Sequence, residues 1–124
     1  MIQYFKTLDG VLRAIDGCEP GAWIHVEAPT RAEIDELVAR FDLDPRYFTA
    51  ALDEEETSRI DKEDKKVLII IDTPMVEQNK ENISYYTIPI GIISADKNVI
   101  TVSGVHNPLF DEFMQGRVKD CQTD

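Results

Sequence analysis

Val67-Leu68-Ile69-Ile70-Ile71 is the longest uninterrupted apolar run in the chain, and Asp72-Thr73-Pro74 follows it at once. Five residues dominated by β-branched side chains are too few for a buried helix and suit a strand covered on both faces. Such a strand needs a layer of structure above and below it, which excludes a simple helical bundle. Residues 59–61 read as a neighbouring strand, joined to residues 67–72 through the charged turn Lys62-Glu63-Asp64-Lys65. Pro74, which has no N–H for a ladder, is expected to stop the central strand.

The rest of the chain supplies layers of the right kind. Residues 2–5 read as a strand, residues 8–14 as a helix ending at Asp16-Gly17, and residues 22–26 as a strand after the turn Glu19-Pro20-Gly21. Thr30 and Glu33 have the spacing of a capping box, so a helix starts near Arg31. Ile34, Leu37, Val38 and Phe41 form its buried stripe. Asp44-Pro45 is a second start signal, with Phe48, Ala51 and Leu52 as the apolar positions behind it. After a solvated loop over residues 77–82, residues 84–94 and 99–103 form a hairpin around Asp96-Lys97-Asn98. Asn107-Pro108 opens a last helix with Leu109, Phe110 and Phe113. Helices alternate with strands early and strands accumulate later, which gives an α/β fold with a mixed β-sheet flanked by α-helices.

At 124 residues the chain has the size of one domain. Arg117-Val118-Lys119-Asp120-Cys121-Gln122-Thr123-Asp124 has neither a helix stop nor tail character, so the expectation is a single domain, residues 1–124, excised from a longer protein. A formal charge of −11 without a basic stripe disfavours nucleic acid and favours cations. Cys18 and Cys121 are too far apart in sequence to suggest a zinc motif or a disulfide framework, which fits a reduced compartment. The first residues lack signal-peptide character. The apolar run of Val67 to Ile71 falls far short of the ~20 residues that cross a bilayer.

Catalytic motifs are missing: the six glycines are scattered singly, and there is no nucleophile elbow, phosphate loop or dinucleotide fingerprint. His25 lies in a strand beside Trp23, and His106 lies in a loop. The expectation is therefore no enzyme. The chemistry-bearing feature is the acidic corner Asp53-Glu54-Glu55-Glu56, with Asp61 close behind. Hard divalent cations such as Mg2+ take one or two carboxylates and keep several waters. Acidic groups at a helix C-terminus also oppose the helix dipole, a cost that a cation offsets. Arg59 is expected to pair with one of these carboxylates. Trp23, Phe41, Phe48, Tyr85 and Tyr86 read as core or sheet-face residues, with one of the two adjacent tyrosines facing water.

A resemblance is carried by the order of short segments: residues 23–30, Glu33-Ile34, Phe41-Asp42-Leu43, Ala51-Leu52-Asp53, Arg59-Ile60-Asp61, residues 69–74, residues 87–93 and Ile100-Thr101-Val102. Together these resemble the N-terminal cytoplasmic domain of CorA-type divalent cation transporters. The resemblance implies an α/β/α sandwich at the cytoplasmic face of the cell membrane, fused in the parent protein to a long helix and two transmembrane helices with a Gly-Met-Asn motif. It implies a homopentamer in which Mg2+, or Co2+ or Ni2+, bound between cytoplasmic domains regulates the pore. The expected function is thus ion sensing and gating, with divalent cations and neighbouring subunits as partners. Cation binding by this chain alone is expected to be weak and not structural. In that family, acidic residues precede the Ala-Leu-Asp segment, where Thr49 and Ala50 stand here, so the metal ligands are placed at Asp53, Glu54, Glu55 and Glu56. The alternative is a free-standing acidic domain that binds a basic protein.

Overall fold

The computed structural model describes residues 1–17, 19–53, 58–63, 66–95, 97–107 and 110–111. The order of elements is β1 (Ile2–Leu8), β2 (Val11–Ile15), β3 (Trp23–Glu27), α1 (Arg31–Phe41), α2 (Pro45–Leu52), β4 (Arg59–Glu63), β5 (Lys66–Gln78), β6 (Ile83–Ala95) and β7 (Asn98–Ser103). The strands form one seven-stranded sheet in the order β2-β1-β3-β7-β6-β5-β4. All neighbours are antiparallel except β3 and β7, which run parallel with His25 opposite Thr101. The mixed sheet expected from the pattern of elements is therefore present.

Local chemistry explains both helices. The Thr30 side chain accepts from the Glu33 backbone N–H at 3.1 Å, and the Glu33 carboxylate accepts from the Thr30 N–H at 2.9 Å. This is the reciprocal cap read from the sequence. Asp42 ends α1 in the left-handed region at φ 53°. Asp44 caps α2 by accepting from the Arg46 N–H at 2.9 Å, with Pro45 in the first turn, where no N–H is needed. Leu37 of α1 and Tyr47, Phe48, Ala50 and Ala51 of α2 face the sheet and meet Ile24, Val26, Leu68, Ile70, Ile93, Ile100 and Val102. Phe48 is fully buried there, which by itself contributes about 2–3 kcal/mol.

Four expectations are corrected. Residues 8–14 are not a helix: Asp9 (φ 54°) and Gly10 (φ 79°) both adopt positive φ and close a tight hairpin between β1 and β2. An Asp-Gly pair favours this turn more strongly than the short apolar spacing favours a helix. Pro74 does not stop β5, which continues to Gln78 with Pro74 opposite Thr87. β4 pairs with β5 only as far as Ile70, and β7 pairs with β6 only as far as Gly91. Pro74 and Pro89 thus lie in a two-stranded arm beyond the flanking strands, where the ladder makes fewer demands on backbone N–H groups. The solvated loop is correspondingly shorter than residues 77–82, since Glu77 and Gln78 are paired. Tyr85 and Tyr86 lie on this arm and both are exposed, rather than one of them. The expected helix after Asn107-Pro108 is described only at Phe110 and Asp111, which are helical; Leu109 and Phe113 lie outside the described residues.

The face of the sheet away from α1 and α2 holds a second cluster of Phe5, Leu12, Trp23, Ile90 and Phe110. Among the described residues no helix is long and apolar enough to cross a membrane.

Candidate functional site

The acidic corner is where the sequence points first. Asp53 is exposed and closes α2 in an extended conformation, its backbone N–H donating to Ala50 O at 3.3 Å. It thus sits at the negative end of the helix dipole, where a cation is welcome. Glu54, Glu55 and Glu56 lie outside the described residues. Arg59 Nε lies 3.3 Å from Asp61 Oδ2, an ion pair along β4. Among the described residues no group of three or more His, Cys, Asp or Glu side chains is arranged to hold a metal ion. The two positions before the Ala51-Leu52-Asp53 segment carry no carboxylate either. Thr49 turns its hydroxyl back to Pro45 O at 3.4 Å, and Ala50 is buried against the sheet.

A second polar cluster occupies the opposite face of the sheet. The Trp23 indole N–H donates to Thr101 Oγ1 at 2.8 Å, and Thr101 Oγ1 lies 2.9 Å from His25 Nδ1. The one hydroxyl thus serves both buried rings: it accepts from Trp23 and pairs with His25 Nδ1. His25 is 1% exposed. Burial, partly opposed by Glu27, pushes its pKa down to about 4. Asn107, also buried, donates to Thr73 Oγ1 at 2.9 Å, and that hydroxyl donates to Ile88 O at 3.1 Å. These contacts tie β3 to β7, and β5 to β6 and to the segment after β7.

Next to this cluster is a group that sequence reading did not assemble. His106 Nδ1 lies 2.9 Å from Glu27 Oε1 and His106 Nε2 lies 2.8 Å from Asp111 Oδ2. Hydrogen bonds to Asp111 and then to Glu27 raise the His106 pKa above its ordinary value. Glu27 and His106 are 79 residues apart, so no local spacing announces the pair. The spacing of His106 and Asp111 is the one local hint.

The family model of the CorA-like Mg2+ transporter protein matches residues 20–123, which take in β3 to β7 and both α1 and α2. The chain belongs to this family. Solved structures agree on the fold. The complete CorA magnesium transporter of Methanocaldococcus jannaschii is similar with a TM-score of 0.72 at 16% identity, covering 93% of this chain and 36% of that one. The soluble domain of the same CorA gives 0.72 at 19% identity, with 93% and 45% covered. The ZntB cytoplasmic domain of Vibrio parahaemolyticus RIMD 2210633 gives 0.67 at 12% identity, with 91% and 47% covered. The CorA-like chain thus spans less than half the length of each of these structures. No curated protein sequence matches it.

Proposed function

We propose that this chain is the regulatory cytoplasmic domain of a CorA-type divalent cation transporter and contributes to ion sensing and gating. The match of the family model over residues 20–123 carries this reading. The fold shared with a CorA soluble domain and a ZntB cytoplasmic domain supports it. In this reading the chain works as one part of a longer membrane protein, at the cytoplasmic face and against neighbouring copies of itself in a pentamer.

The ion-responsive element in this reading is Asp53, which closes α2, with Glu54, Glu55 and Glu56 next in the sequence. With a net charge of −11, copies of this chain repel one another, and a divalent cation that screens carboxylates shifts the balance toward closer arrangements. Mg2+ is expected there as a hydrated ion held by one or two carboxylates, with Kd on the order of 1 mM. Co2+ and Ni2+ are the alternative ions for the same carboxylates.

The test is thermal unfolding of the chain in MgCl2 against NaCl at matched ionic strength. Stabilisation specific to Mg2+ that vanishes in the D53N/E54Q/E55Q/E56Q variant supports the reading. Identical midpoints in the two salts overturn ion sensing by this corner.

A further inference from the structure

Beyond Ser103 the chain turns onto the sheet face opposite α1 and α2 and is held there at three places. Asn107 donates to Thr73 Oγ1 at 2.9 Å. The Phe110 ring packs 4.3 Å from His25 and 6.2 Å from Trp23, centroid to centroid. The third place is His106, between Glu27 at the end of β3 and Asp111 beyond it.

The first two attachments do not depend on pH near neutrality, but the third does. Each ring nitrogen of His106 faces a carboxylate oxygen at hydrogen-bond distance, so both contacts are hydrogen bonds only when both nitrogens carry protons. A neutral imidazole turns one lone pair toward a carboxylate lone pair, and that contact becomes repulsive. We infer that His106 is a protonation-dependent latch, fastening His106, Asn107, Phe110 and Asp111 onto the sheet through Glu27 and releasing them as the imidazolium loses its proton.

The surroundings favour the charged form. Glu27 faces His106 from β3, and Asp111 faces it from its own segment. The Met1 ammonium, which donates to Glu27 O at 2.8 Å and to Glu33 at 3.0 Å, opposes it from the N-terminus. His25, across β3, stays uncharged near neutral pH because burial holds it near 4. The raised His106 pKa agrees in sign: a folded-state value above the unfolded one keeps the contact at low pH and loses it as pH rises through the folded value. The two carboxylates lie on opposite sides of the ring, so the group is a poor chelate and a proton is its natural ligand.

The chain carries its own reporter, because Trp23 is its single tryptophan and touches Phe110. The experiment follows Trp23 emission and the amide exchange of Phe110, whose N–H donates to Asn107 O at 3.1 Å. The pH is raised from about 5 to about 9, across the ordinary histidine range, with the His106 ring resonances titrated by NMR in parallel. The expected result is a red shift of emission and a severalfold loss of Phe110 protection, both centred on the His106 titration. The step is lost in H106Q and moves to lower pH in D111N. H106Q changes a side chain 59% exposed and leaves the core untouched. Emission and protection that stay constant while His106 titrates overturn the latch. So does a step that persists unchanged in H106Q.

Discussion

Gly91 of β6 lies directly beneath Ala51 of α2, so close that a Cβ on Gly91 would stand 2.4 Å from the Ala51 Cβ. Real Cβ atoms do not approach so closely, and Ala51 is itself fully buried, so α2 has no room to lift without opening the core. Gly91→Ala is expected to destabilise the fold by about 1–3 kcal/mol through overpacking. Urea unfolding measures this. Adding Ala51→Gly should return part of the loss, although that change alone costs about 1 kcal/mol in helix propensity. Simple addition of the two single effects would contradict the contact.

His25 sets an acid limit on stability. Its folded pKa of about 4 lies below the ordinary value of 6.5, so the unfolded chain binds more protons between those pH values. Stability therefore falls as pH drops from about 6.5 to about 4, by up to about 3 kcal/mol. Unfolding curves across that range should show the loss in the wild type and a flatter profile in His25→Gln.

Thr101 satisfies two buried rings at once. Thr101→Val keeps the shape but leaves the Trp23 indole N–H without this acceptor and His25 Nδ1 without this hydrogen-bond partner. A cost of about 1–3 kcal/mol is expected. Thr101→Ser keeps the hydroxyl and should cost much less; equal losses in both variants, measured by chemical denaturation, would point to packing instead.

The Thr30 cap is open to the same treatment. Thr30→Ala removes the acceptor for the Glu33 N–H and should cost about 1 kcal/mol. Thermal unfolding should show Thr30→Ser near the wild type.

Strong local chemistry was legible in the chain before folding. The Thr30 and Glu33 box and the Asp44-Pro45 start each specify their own element, and each appears where it was expected. The apolar run from Val67 is a strand, but β5 lies next to the sheet edge rather than at its centre, runs on to Gln78 and leaves Ile71 exposed on its second face. The Asp9-Gly10 turn was equally local, but the apolar positions around it were short enough to suit helix or strand. Pro74 was misread because its tolerance depends on where β4 ends, which is a property of the sheet and not of the proline. Among the chemical groups, the acidic corner is visible because its residues are consecutive, and Asp53 does end α2. The Glu27, His106 and Asp111 cluster is invisible because the sheet, not the spacing, brings β3 beside the end of β7.

The single parallel seam has a consequence for the order in which this molecule is made. β3 reaches the middle of the sheet only through β7, and His25 waits for Thr101, 76 residues later. At synthesis rates of roughly 5–20 residues per second, the N-terminal hairpin and β3 emerge on the order of 4–15 s before their neighbour. Through that interval the side chains of Trp23, Ile24 and Val26 have no lasting home, while β4, β5 and β6 are already free to pair. Among the described strands the last to leave the ribosome closes the sheet, and joining its two halves carries the loop-closure entropy of a long span of chain.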